Sequence, residues 1–127
     1  MLEEIAKGNS SVLQKKVARG ENLVLDDIVK ATLKGDMLAI ELVEEVGYTL
    51  GKHIAGLINL LNPELVIVGG AVAQTGDYLL FPIKSAIRKY ALNLVGNDTS
   101  VKLSKLGDTA GVIGACMLAR SKMLSLI

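Results

Sequence analysis

Gly69-Gly70 follows the uninterrupted apolar run Leu65-Val66-Ile67-Val68, and no other feature of this chain is better placed to do chemistry. The run is too short for a buried helix. Three of its four residues are β-branched, the composition of a parallel strand covered on both faces. Glycines at the carboxyl end of such a strand put no side chain between the backbone and whatever approaches it, whether a phosphate group or another backbone. A plain turn uses the same residues, so the pair alone does not decide between the two.

His53 is the only histidine and Cys116 the only cysteine. His53 sits one step off an apolar helical stripe with no cysteine or second histidine nearby, so the donor set of a zinc site is lacking and a boundary residue is expected. Cys116, in Gly114-Ala115-Cys116-Met117-Leu118, has apolar neighbours and reads as a small core residue rather than a nucleophile. Gly107, Gly111 and Gly114 surround the start of the last helix and are expected to let it pack tightly on a sheet, although an exposed helix start could also face phosphate. Glu3 and Glu4 begin a helix, where acidic groups complement the helix dipole.

These residues must be held by a mainly helical chain. Periodicity predicts helices over 2–7, 10–19 and 25–33, separated at Gly8-Asn9, Gly20-Glu21-Asn22 and Gly35, with Asp26 and Asp27 in the first turn of the third. A long helix is expected over 36–61, burying Ala39, Val43, Val46, Leu50, Ile54, Leu57 and Leu61 along one stripe. Gly47 and Gly51 lie one turn apart in it. Each costs about 1 kcal/mol relative to alanine in a helix, so close packing against a neighbour is the expected reason for both. Pro63 ends that helix and strand 65–68 follows. Asp77 is expected to cap a helix to about Leu92, distorted near its start by Pro82. A second short strand is expected at 101–103, and a last helix, capped by Asp108, over 109–124. Helix, strand, helix, strand, helix implies parallel strands with right-handed crossovers. Two strands do not make a stable sheet, so further strands are expected from outside this sequence.

The order and spacing of several of these pieces resemble one family. Gly47-Tyr48-Thr49-Leu50-Gly51, then Leu60-Leu61-Asn62-Pro63-Glu64 running into Ile67-Val68-Gly69-Gly70, are similar to the carboxyl-terminal part of ROK proteins. So are Gly76-Asp77-Tyr78-Leu79-Leu80, Pro82-Ile83 and Leu106-Gly107-Asp108-Thr109-Ala110-Gly111-Val112-Ile113-Gly114-Ala115. The family name stands for repressor, open reading frame and kinase. The resemblance implies an α/β fold: a partial actin-like ATPase lobe of the ribonuclease H-like type, helix-rich with two short parallel strands. It divides the chain into a short helical segment, 1–35, after the family's zinc knuckle, and the α/β part of the sugar-binding lobe, 36–127. It implies a sugar contact at Glu3, because Met1 stands where relatives have the last zinc cysteine. In a kinase it implies a nucleotide site at Gly69 and Gly70, though Ala71 replaces a third glycine found in many relatives. No catalytic or metal residue is implied in this sequence. ATP with magnesium and structural zinc belong to the family's first-lobe motifs, which these residues do not include, so a carboxyl-terminal fragment is expected.

Composition fits a piece of α/β protein. Half the residues are hydrophobic, with mean hydropathy +0.43, enough for one core and for more apolar surface than this length buries alone. A formal net charge of +1 offers no footprint for DNA or an anionic membrane, so DNA is a partner only through a missing amino-terminal domain. With one cysteine and no leader pattern, a cytoplasmic setting is expected. The ending Gly114-Ala115-Cys116-Met117-Leu118-Ala119-Arg120-Ser121 is most like the regulators, so the resemblance implies a sugar-responsive transcriptional regulator that senses a sugar or sugar phosphate and dimerises. The alternative is an ATP-dependent sugar kinase of the glucokinase or N-acetylglucosamine/N-acetylmannosamine kinase type. In either case the apolar stripe and an unpaired sheet edge predict a homo-oligomer. The purified chain is expected not to phosphorylate glucose or N-acetylglucosamine with ATP; detectable sugar phosphate in a coupled assay would overturn this.

Overall fold

The computed structural model describes residues 11–124. The helix expected over 2–7 lies outside them. One carboxylate starts two of the helices. Asp36 Oδ2 accepts a hydrogen bond from Val12 N at 2.7 Å, at the start of α1 (Val12–Ala18), and Oδ1 accepts one from Ala39 N at 3.2 Å, in the first turn of α3 (Met37–Leu61). Amides at helix starts have no partner within the helix, so a single aspartate here ties two elements together. Between them runs α2 (Leu25–Leu33), anchored to α1 by Lys16 Nζ on Asp27 Oδ1 at 2.8 Å. That bond, and the Val24 amide on the same carboxylate, hold Asp27 below the ordinary aspartate value of 3.8. Its contribution to stability is therefore present above that value and is lost as the pH falls through the lowered folded one. The neighbouring Lys30–Asp26 pair raises Lys30 above its usual value, chiefly through the Asp26 hydrogen bond. Leu13, Ala31 and Ala39 form a small core beneath these helices.

Helix α3 ends as the sequence predicts. Asn62 takes the left-handed conformation (φ 45°, ψ 54°) and Pro63 follows, so the chain turns directly into β1 (Leu65–Val68). After a short 3-10 turn, Ala71–Thr75, come α4 (Asp77–Tyr90), the one-turn α5 (Asn93–Gly96) and β2 (Ser100–Leu103). The strands are parallel, in the register Leu65 to Ser100 through Val68 to Leu103. A second 3-10 turn, Gly107–Thr109, leads into α6 (Ala110–Met123).

The central contact is α3 against α4. A Cβ placed on Gly51 would meet Ile83 O at 2.6 Å and Ala86 Cβ at 2.7 Å; one on Gly47 would meet Leu79 O at 2.9 Å and Pro82 Cβ at 3.1 Å. The two backbones therefore pack face to face, and Pro82 sits inside α4 against the gap left by Gly47. Around this contact Val43, Ile54, Ile58, Leu79, Ile83 and Ile87 are buried, and Val101 of β2 joins them. Asn59 closes the far end: its Oδ1 accepts from Leu92 N at 2.8 Å and its Nδ2 donates to Tyr90 O at 3.3 Å.

Several expectations change. Of the expected stripe on α3, Ala39, Val43 and Ile54 are buried and Leu50 packs on the core, but Val46, Leu57 and Leu61 are exposed, and Gly47, Gly51, Ala55 and Ile58 are buried as well. The glycines turn the helix, because the closest approach available is over the smallest residues. Strand β1 is covered on one face only: Val66 and Val68 pack on the core, whereas Leu65 and Ile67 are open. Neither aspartate caps as expected. Asp77 is the first residue of α4, after Gly76, and Asp108 lies in the 3-10 turn before α6, whose cap position is Thr109. The last helix does not pack on the sheet. It buries no residue, Cys116 is exposed, and a Cβ on Gly111 or Gly114 would meet nothing within 4 Å.

Gly51→Ala is expected to lower unfolding stability by about 2 kcal/mol in urea, because backbone must move to admit the methyl group. Gly56→Ala, with nothing within 4 Å of its Cβ, is expected to raise stability by up to about 1 kcal/mol. A Gly51→Ala protein as stable as the parent would show that the close approach does not set the helix spacing.

Candidate functional site

Parallel strands carry their ligand-facing loops at the carboxyl edge, and both strands here leave that edge through small or polar residues. Val68 passes into Gly69-Gly70, and Leu103 into Ser104 and the segment ending at Gly107. Ser104 N donates to Val68 O at 2.8 Å, which carries the ladder one step past β2. A Cβ on Gly69 would stand 3.5 Å from Ser104 Cβ, an ordinary contact, so space does not demand glycine there. Gly70 differs. Its φ of 94° with ψ of 177° suits only glycine, and the space before it is open to 4 Å.

The rest of the edge is braced by local hydrogen bonds. Gly70 O accepts from Ala73 N at 3.1 Å and opens the turn Ala71–Thr75, whose buried Thr75 bonds back to Val72 O at 2.7 Å. This turn touches the other one, Gly107–Thr109. Leu106 N donates to Ser104 Oγ at 3.2 Å, and Thr109 Oγ1 donates to Leu106 O at 2.6 Å. The result is an exposed backbone edge with a glycine at its centre, able to admit a phosphate or planar group closely, with Asp108 the acidic residue in its second turn.

Of the residues singled out in the sequence, Gly69 and Gly70 stand at this edge, and Gly107 also belongs to it, with a φ of 53° that explains its glycine. Glu3 lies outside the described residues. His53 is on the exposed side of α3, away from the core. The turn Ala71–Thr75 was not foreseen, although the glycines on either side of it, both at positive φ, mark its limits in the sequence. Also unforeseen is an aromatic and cationic cluster on the outer side of α3 and α4. Tyr48 and Tyr90 meet edge to face at 6.2 Å, and Lys52 lies over both rings at 5.2 and 5.3 Å. Hydrogen bonding to Tyr48 holds the Tyr90 phenol below its usual value and Lys89 above its own. These four side chains fasten the two helices from outside. Among the described residues no group of histidine, cysteine, aspartate and glutamate could hold a metal ion, and no helix is long and apolar enough to cross a membrane.

A match to the ROK family spans residues 2–122. The chain belongs to the ROK family. It is 39% identical over 100 residues to a glucokinase of Halalkalibacterium halodurans, covering 79% of this chain and 30% of that enzyme. It is 38% identical over 105 residues to the DNA-binding transcriptional dual regulator NagC of Escherichia coli K12, covering 83% of this chain and 26% of NagC. Among solved structures, a ROK family transcriptional regulator homologous to the E. coli MLC protein superposes with a TM-score of 0.72 and 32% identity, over 80% of this chain and 25% of that one. A putative sugar kinase from Cytophaga hutchinsonii shares the fold with a TM-score of 0.75, over 93% of this chain and 38% of that one. This ROK chain thus has the α/β architecture of an actin-like ATPase lobe, and spans well under half the length of the relatives it matches.

Gly70→Ala is expected to cost about 1–3 kcal/mol of stability, since the alanine must hold a conformation that L side chains rarely adopt. Gly69→Ala is expected to cost less than half of that. Equal urea midpoints for the two variants would show that the edge relaxes freely and is not preset for a ligand.

Proposed function

We propose that this chain is the carboxyl-terminal part of the sugar-sensing and self-associating lobe of a ROK transcriptional regulator. The observation that carries this reading is the solved regulator, which at 32% identity is related in sequence as well as in fold. The match to NagC over 83% of the chain supports it further. By the family resemblance Ala71, half-buried at the start of the turn after Gly70, stands in place of a glycine, which suits a lobe relieved of close nucleotide contact. In this reading Glu3 accepts a hydrogen bond from a sugar hydroxyl. DNA is contacted by a separate amino-terminal domain of the parent. The open Leu65–Ile67 face and the uncovered α6 are buried against the rest of that parent or a second copy.

A second reading is favoured by one feature of the site. The open backbone at Gly70, together with the 39% identity to a glucokinase, suits an ATP-dependent sugar kinase in which Gly69 and Gly70 flank the nucleotide. The family's first lobe would then supply the base that deprotonates a sugar hydroxyl, and closure of the lobes would exclude water. Those residues are not in this sequence, so the chain's own part would be to bind and orient.

The gene upstream of Met1 separates the readings. A helix-turn-helix segment is the expected result. An Asp-x-Gly phosphate loop at the start of the parent's reading frame would replace the regulator with the kinase. In a regulator parent, Glu3→Ala is expected to weaken sugar release of bound DNA by about tenfold or more, as loss of one hydrogen bond to a charged group implies. An unchanged sugar response would remove Glu3 from the site.

A further inference from the structure

At the amino edge of the sheet, opposite the glycine turn, α4, α5 and the start of β2 enclose a cleft of about 460 Å³. Small-molecule sites run from roughly 300 to 1,000 Å³. Two of its lining residues, Ile87 and Val101, belong to the buried core, and most of the rest are polar. Lys84 and Arg88 line one side, one helical turn apart on α4. Asn93, Asn97 and Asp98, from the segment after α4, also line it.

These charges are not consumed by the fold. Among the described residues the ion pairs join Lys16 to Asp27 and Lys30 to Asp26, so Lys84, Arg88 and Asp98 form none. The dipole of α4 accounts for Arg88 in its last turn but not for Lys84, a turn earlier. The walls are also pinned. Asn59 clamps Tyr90 and Leu92, Thr99 Oγ1 donates to Pro63 O at 2.6 Å, and Ser100 N donates to Glu64 O at 2.8 Å. A Cβ on Gly96 would stand 3.0 Å from Ala91 Cβ, so glycine lets α5 close down on the end of α4. A cleft held this way loses little entropy when a ligand arrives.

We propose that this cleft binds a small phosphorylated polyol. Arg88 offers a planar fork that matches phosphate oxygens, and Lys84 adds a second positive charge. Asp98 only accepts hydrogen bonds, so it repels a bare phosphate but receives a hydroxyl; the two asparagine amides both donate to and accept from hydroxyls. The carbon face of the ligand lies on Ile87 and Val101. The site is independent of Glu3 and of the glycine turn, and does not rest on the choice between regulator and kinase.

The test uses glycerol 3-phosphate as probe, with inorganic phosphate and glycerol as comparisons, read by amide chemical shifts of the nitrogen-15-labelled chain. Saturable shifts centred on residues 84–101 are expected for glycerol 3-phosphate, about tenfold weaker binding for inorganic phosphate, and none for glycerol. Arg88→Ala is expected to weaken glycerol 3-phosphate about tenfold, with partial rescue by Arg88→Lys. Asp98→Asn is expected to narrow the gap to inorganic phosphate. All these side chains are exposed, so unchanged shifts elsewhere verify the fold. Equal affinities for the two phosphates would reduce the cleft to a general anion patch and overturn the proposal. So would an Arg88→Ala chain that binds undiminished, or shifts that never saturate.

Discussion

The backbone-to-backbone approach of α3 and α4 at Gly47 and Gly51 is the constraint on which the rest of the structure depends. With Ile83 O only 2.6 Å from where a methyl group on Gly51 would stand, any larger residue there would force the two helices apart. That approach selects the buried line of α3, fixes which side of α4 faces the core, and places both sheet edges. The strands lie on one side of the pair through Val66, Val68, Leu103 and Val101, and the tyrosine–lysine cluster lies on another. Helix propensity argues against both glycines. Their retention in one long helix is repaid by packing, since close-packed interiors lose dispersion contacts as soon as a gap opens.

That same arrangement divides the surface into unequal parts. One sheet face is sealed by α3 and α4, while Leu65 and Ile67 on the other remain open, as do Val112, Met117 and Leu118 on α6. An apolar strand face and an apolar helix left uncovered are uncommon on a self-sufficient domain. The relatives this chain matches are roughly two and a half to three times as long, and the open apolar faces lie where so much additional structure could pack.

Local signals were legible in the sequence wherever one residue decides the backbone. Pro63 after a long apolar helix located β1, with the same limits as in the structure, and Gly35 with Asp36 located the break between α2 and α3. Gly47 and Gly51 announced a close contact without naming the partner. What failed was inference from hydrophobicity to burial. Val46, Leu57, Leu61, Cys116 and the glycines of α6 all have the composition of core, yet the surfaces that would cover them are not among the described residues. The Gly69-Gly70 edge was legible in position, whereas the open conformation at Gly70 and the brace made by Ala71–Thr75 depend on turn geometry that residue types alone do not reveal. The cleft at Lys84 and Arg88 was not legible at all. Its walls come together only because Asn59 and Thr99 bond to groups more than thirty residues away along the chain.

The two edges of the sheet lie at opposite ends of one interlocked helix pair, and this limits how they could communicate. Packed elements respond to ligands by choosing between discrete arrangements rather than by deforming continuously. One such arrangement is displacement of the helix pair and its sheet as a body, and the open face with Leu65 and Ile67 is where it would be felt. A regulator that must reorient a DNA-binding domain and a kinase that must close over its substrate both need that kind of motion. One lobe architecture shared by regulators and kinases fits that requirement, since fold alone does not fix the chemistry.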